Sequence, residues 1–188
     1  MTRWLSGMGL LALLGACATP QAPRPLPYSN VGIEAFSLSG RVAVKISSRG
    51  YTSGLRWRHV GVDDSLKLIS PVGTVLADIE STDEGVTLTG ADKKIYRSEN
   101  VQTLTREILG WDLPLSGLKH WVLGRVDPDA AVLEEIRDAR NRLTRLAQGE
   151  WEIDYLAYAQ DGALPSSLSL THGDLRLRLV VDRWDIPE

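Results

Sequence analysis

Cys17 is the only cysteine among 188 residues. A disulfide within the chain is therefore excluded, and the thiol is either a lone nucleophile or a lone point of attachment. Other side chains with chemical potential are equally scattered. His59, His120 and His172 are far apart, with no HExxH or CxxC spacing that would hold a metal. No GxSxG elbow offers a serine nucleophile, and no GxxxxGK[ST] loop cradles a phosphate; Gly73, Gly85 and Gly90 read as isolated turn glycines. The adjacent carboxylates Asp63-Asp64 and Glu134-Glu135 read as turn and solvated-face charges. The expectation is a protein that is not an enzyme and holds no metal, although polar residues distant in sequence could still converge into a lipid hydrolase or acyltransferase.

The residues around Cys17 point to attachment. Met1 to Ala16 carries one charge, Arg3, before an apolar run through Leu10, Leu11, Leu13 and Leu14. That is the layout of a signal peptide, and it falls short of the roughly 20 apolar residues that a spanning helix needs. The junction Leu14-Gly15-Ala16-Cys17 resembles the bacterial lipobox, in which the cysteine becomes the first residue of the mature chain and carries lipid. Gly15 is a less usual occupant there than Ser or Ala. Two or three acyl chains on Cys17 would anchor the protein stably. Residues 18–30, "ATPQAPRPLPYSN", then read as an extended tether, because each proline fixes φ and removes a donor. The expected organisation is a signal peptide at 1–16, a lipidated N-terminus and tether at 17–32, and one folded domain at 33–188. Apart from the covalent lipid on Cys17, no cofactor is expected. In bacterial lipoproteins an Asp after the cysteine disfavours outer-membrane delivery; Ala18 stands here, which implies the outer membrane.

Charge narrows the partners. With 21 basic and 24 acidic residues the formal net charge is −3, and no basic stripe is interleaved with aromatics, so nucleic-acid binding is not expected. About 170 residues remain after the signal, enough to bury one substantial core.

The elements that would carry these residues are mostly strands. Phe36, Leu38, Gly40, Val42, Val44 and Ile46 alternate with polar or small residues, the period of a half-buried strand. Similar alternation runs through Leu55 and Trp57, Leu66 and Leu68, Val75 to Ile79, and Val86 and Leu88. "GVDD", "SPVG" and "STDEG" between them are turn chemistries of an antiparallel meander. In the middle, Asn100 can cap a helix that Gly110 stops, and Ser116 can cap a second that Gly124 closes. Asp127-Pro128 offers a third helical start, with Val132, Ile136, Ala139 and Leu143 at near-helical spacing. Alternation returns at Trp151, Ile153 and Tyr155, at Leu168 and Leu170, and from Leu175 to Val181. So large a sheet must cover its apolar face, and two or three short helices cover little of it. A curled sheet with a helical lid solves this. Periodicity alone leaves open whether the interior is a hollow or a filled core.

Several stretches, in this order, resemble the LolB family of outer-membrane lipoprotein localisation factors: "FSLSGRVAV", "GLRWRH", "LISPVGTVLADI", "LGWDLPLSGLKHWVLG", "LAQGEWEIDY" and "LPSSLSLTHGDLRLRLVVDRW". The resemblance implies a mainly β (α+β) fold, a curved antiparallel half-barrel of about eleven strands with a helical lid over an apolar cavity. It also places "RLTRLAQ" on a strand, against the helical spacing noted above. The implied function is that of a monomeric receptor. It accepts acylated lipoproteins from the periplasmic carrier LolA and inserts them into the inner leaflet of the outer membrane, with its own domain facing the periplasm. The other reading is a structural or assembly lipoprotein that binds another protein and no acyl chain.

Candidate lining residues of such a cavity are Phe36, Leu38, Val42, Val44, Ile46, Leu55, Trp57, Leu66, Leu68, Ile153, Leu177 and Leu179. The resemblance further marks Pro71, Val72 and Gly73 as a protruding membrane-insertion loop, where relatives usually carry a leucine and this chain has Val72. Arg41, Lys45, Arg56 and Arg58 are candidates for guiding the carrier, although solvated strand faces often look this way.

Overall fold

The computed structural model describes residues 32–160, 162 and 164–187. Cys17, the signal segment and the tether up to residue 31 lie outside the described residues. The elements in chain order are β1 (Ala35–Ile46), β2 (Arg49–Val60), β3 (Asp63–Ile69), β4 (Val75–Thr82), β5 (Gly85–Gly90) and β6 (Ile95–Ser98), then α1 (Val101–Leu109) and α2 (Leu115–Trp121). β7 (Val132–Arg137), β8 (Leu143–Gln148), β9 (Trp151–Tyr158), β10 (Pro165–His172) and β11 (Leu175–Asp185) complete the chain. All eleven strands form one antiparallel sheet in the order β6-β5-β4-β3-β2-β1-β11-β10-β9-β8-β7. The first and last strands therefore lie side by side near its middle. Both edges, β6 and β7, fall where the chain leaves for the helices, so the helical connection crosses from one edge to the other over the apolar face. The sheet is an open half-barrel and its edges do not pair.

Register explains why that face is apolar. On β1, Val42 and Val44 stand opposite Leu179 and Leu177 of β11, and on β2 Leu55 and Trp57 stand opposite Leu68 and Leu66 of β3. Their neighbours of opposite parity point outward, as the period of two requires. Between Ser39 and Gly40 the register against β11 shifts by one residue, because Asp182 bulges out of β11. The two backbones approach so closely there that a Cβ on Gly40 would lie 2.0 Å from the Val180 carbonyl oxygen, so only glycine fits. At one end Phe36 meets Trp57 and Trp184 edge-on, with centroids 5.0 and 5.6 Å away, and closes the core with aromatic weight.

The helix signals hold for α1: the Asn100 side chain accepts from the Thr103 N–H at 3.0 Å, and Gly110 caps the C-terminus in the left-handed region. α2 starts two residues earlier than a Ser116 cap would place it. Pro114 occupies its cap and makes no side-chain bond, while Ser116 is exposed in the first turn. The third helix does not form. Its spacing arises because Val132 and Ile136 lie on β7, Ala139 lies in a turn and Leu143 begins β8. Asp138 decides this locally: its Oδ1 accepts from the N–H groups of Arg140 and Arg142, a turn that competes with helix. "RLTRLAQ" is thus on a strand, as the family resemblance implied.

Candidate functional site

The concave face and the lid meet around an apolar hollow. From the sheet come Val42, Leu55, Leu66, Leu68, Ile79, Leu177 and Leu179; from the helical connection come Trp111, Leu113 and Leu118. None of these side chains carries a hydrogen-bonding group except the Trp111 indole. The hollow measures about 20 Å³, close to the space one water molecule needs and far below the roughly 300–1,000 Å³ of typical ligand pockets. In this conformation the lid side chains fill the space that the curled sheet encloses.

The lid is held unevenly. At the C-terminal end of α2, Trp121 Nε1 donates to Gln148 Oε1 at 2.9 Å, and the same oxygen accepts from the Asp127 N–H. Gln148 Nε2 returns bonds to the carbonyls of Asp127 and Ala130, so a buried amide on β8 is fully engaged. Tyr155 adds a bond from its hydroxyl to the Trp121 carbonyl at 3.1 Å, and Arg125 Nη1 donates to the Ile33 carbonyl. Gly117 lets the Trp121 ring lie flat on α2; a Cβ there would fall 2.4 Å from the ring. At the other end, Thr105 Oγ1 accepts from the Leu113 N–H, and Arg106 makes a bidentate pair with Asp112 at 2.6 Å. The Asp112 carboxylate holds the Arg106 pKa above its usual value. These bonds tie the Trp111–Leu113 linker to α1 and not to the sheet.

Of the predicted lining residues, Val42, Leu55, Leu66, Leu68, Leu177 and Leu179 border the hollow. Phe36, Leu38, Val44, Trp57 and Ile153 are buried in the surrounding core, and Ile46 is half-buried at the end of β1. Ile79, Trp111, Leu113 and Leu118 complete the wall without having been singled out as lining; the dense apolar stretch "WDLPLSGL" was the available signal. Pro71, Val72 and Gly73 form an exposed turn between β3 and β4, closed by bonds from the Gly73 N–H to the Ser70 carbonyl and from the Thr74 N–H to Ser70 Oγ. Val72 is 88% exposed, more than any other large apolar side chain among the described residues.

The histidines lie at three separate places. His59 is buried. Its Nδ1 lies 2.9 Å from Asp64 Oδ1, which also accepts from Trp57 Nε1 at 2.7 Å. Asp64 is therefore no solvated turn charge, because β3 turns it inward to satisfy two buried ring nitrogens. His120 lies 4.0 Å from Asp127, and burial pushes its pKa below the ordinary histidine value, partly offset by Asp127. His172 stacks on Trp151 and meets Glu150 at 3.0 Å. Glu134 and Glu135 are exposed on β7 and pair with Arg145 and Arg137.

Against this geometry, a family model described as "Outer membrane lipoprotein LolB" matches residues 34–184, which take in both helices and all of the sheet but its last residue. The chain belongs to the LolB family. Among its LolB relatives, the outer-membrane lipoprotein LolB of Nitrosomonas europaea is 35% identical over 191 residues, covering 94% of this chain and 90% of the relative. That of Thiobacillus denitrificans is 38% identical over 175 residues and covers 91% of each. A solved LolA-superfamily protein from Nitrosomonas europaea shares the fold with a TM-score of 0.54 at 7% identity, over 84% of this chain and 88% of that one. The mainly β fold expected from the sequence is the observed one, and that solved protein shares it.

Proposed function

We propose that this LolB-family chain is an acyl-chain acceptor: it receives lipoproteins from the carrier LolA in the hollow under α1 and α2 and delivers them to the outer membrane. The observation that carries this is the wall shared between sheet and lid, apolar but for the Trp111 indole. Each methylene left in water costs about 0.8 kcal/mol, so an acyl chain must pass directly from one apolar site to another. Because the hollow is about 20 Å³, receipt requires the lid to open. The contacts favour motion of α1 with the Trp111–Leu113 linker, while Gln148 and Tyr155 hold the end of α2. Transfer then runs down an affinity gradient, with no nucleotide and no bond broken. Lipid on Cys17 would keep the domain at the bilayer facing the periplasm, and Val72 would enter the membrane as cargo leaves.

The test is transfer in solution. Purified LolA loaded with a labelled lipoprotein is mixed with residues 17–188 carrying Cys17→Ser, and the two are separated. Label should move to this protein without nucleotide, and Val72→Asp should leave receipt intact while slowing delivery to vesicles. If the folded domain takes no label from its matching carrier, the structural or assembly reading replaces this one.

A further inference from the structure

The outward face of β11, β1 and β2 is cationic in a chain whose net charge is −3. Lys45, Arg56, Arg58, Arg176, Arg178 and Arg183 are all exposed there, and none has an ion-pair partner among the described residues. The far side of the same sheet is built differently. Across β7, β8 and β9, Arg145 meets Glu134, Glu152 and Asp154, so opposite charges face one another. On the cationic face, Lys45 stands directly opposite Arg176, and Arg56 directly opposite Lys67, which Asp78 relieves. Like charges in directly opposed positions destabilise a sheet. A face that keeps the Lys45–Arg176 pair uncompensated, beside four further unpaired arginines, calls for an anionic partner that supplies the missing charge.

The relief of this face indicates what that partner is. Ser37, Ser39 and Ser65 are short side chains between the long arms of Arg56, Arg58 and Arg183, which leaves an open groove of about 380 Å³ bordered also by Lys67 and Asp185. A second groove of about 400 Å³ runs from Arg41 and Arg56 to Ser70 and Pro71. Pro71 belongs to the turn that presents Val72, so the most exposed large apolar side chain among the described residues borders the cationic face. Hydroxyls and guanidinium groups suit phosphate oxygens, and an apolar tip beside them suits the layer beneath the phosphates. An acidic protein surface would use the cations and leave Val72 in water.

We propose that this face lies against an anionic bilayer, its arginines taking lipid phosphates while Val72 enters the apolar layer. The proposal rests on the membrane-anchored reading above. The 16 residues from 17 to 32 reach about 50 Å when extended at ~3.1 Å each, which keeps the face within range of the membrane.

The experiment uses residues 17–188 with Cys17→Ser, which retain every described element, and vesicles of phosphatidylethanolamine with or without about 30% phosphatidylglycerol. The protein should float with the anionic vesicles at least tenfold better than with the neutral ones, and rising salt should abolish the difference. Replacing Arg56, Arg58 and Arg183 together by Gln should weaken anionic binding by about a hundredfold, on the order of fivefold per cation. The triple Lys variant should retain binding, and Lys93→Gln, Arg97→Gln and Arg140→Gln together should change nothing. Equal binding to both vesicles, or undiminished binding by the folded Gln variant, overturns the proposal. So does a Gln variant that keeps vesicle binding and loses receipt from LolA, which would make this the carrier's docking face. If instead the parent receives no cargo yet floats selectively with anionic vesicles, the acceptor reading fails and the bilayer-facing surface stands.

Discussion

Gly117 is held at the residue scale by Trp121, whose ring occupies the place of a Cβ and is itself pinned to Gln148. On an ordinary exposed helix Gly→Ala stabilises by about 1 kcal/mol. Here Gly117→Ala should destabilise by roughly 1–3 kcal/mol, because the ring must leave its hydrogen bond or the helix must shift. A thermal melt decides the sign. His120 gives a second expectation: burial lowers its pKa, so the unfolded chain binds a proton that the folded chain refuses. Stability should therefore fall as pH drops from about 6.5 toward the lowered value, and should be insensitive to this group above that window. Subtracting the melting temperatures of His120→Gln from those of the parent between pH 7.5 and 5 isolates this slope, and a difference that stays constant with pH refutes it.

At the scale of elements, the lid determines whether the hollow exists as usable space. Trp111→Ala should cost about 3–5 kcal/mol and leave an enlarged pocket beside Leu66 and Leu177. With near-UV circular dichroism confirming a packed fold, the variant should bind palmitate more tightly than the parent, since less lid displacement is needed. Weaker or unchanged binding would place the acyl chain elsewhere. Most of the sheet was legible beforehand because period-two alternation is imposed by a half-buried face, and β1 bears it over its whole length. The cap at Asn100 and the stop at Gly110 were legible because they are local hydrogen-bond chemistry. The β7–β8 hairpin was not legible from spacing: β7 is exposed on both faces and carries no buried stripe, so only the Asp138 turn marked it. The site was half legible. The strand wall follows from alternation, but Trp111 and Leu113 line the hollow through the path of a connection, which no period encodes. Asp64 was misread because its partner Trp57 is reached only through the β2–β3 register.

At the scale of the whole molecule, the pairing of β1 with β11 joins distant parts of the chain, as where Ser37 stands opposite Asp185, and the Arg41–Asp182 ion pair across it spans 141 positions. Such long-range pairing is slow to form and cannot begin until both partners are present. Removing β11 by ending the chain at Asp174 should therefore leave no cooperative melt, since it strips Leu175, Leu177, Leu179 and Val181 from the core and creates two new edges at the centre of the sheet. A cooperative transition in that truncated chain would mean that the two halves fold separately. The same topology has a consequence for biogenesis. A polypeptide drawn through a narrow translocation channel from its N-terminus presents β1 first and β11 last of the strands, so the centre of its sheet stays incomplete until β11 has crossed. The fold thus delays its own completion, and the chain remains threadable for as long as threading is required.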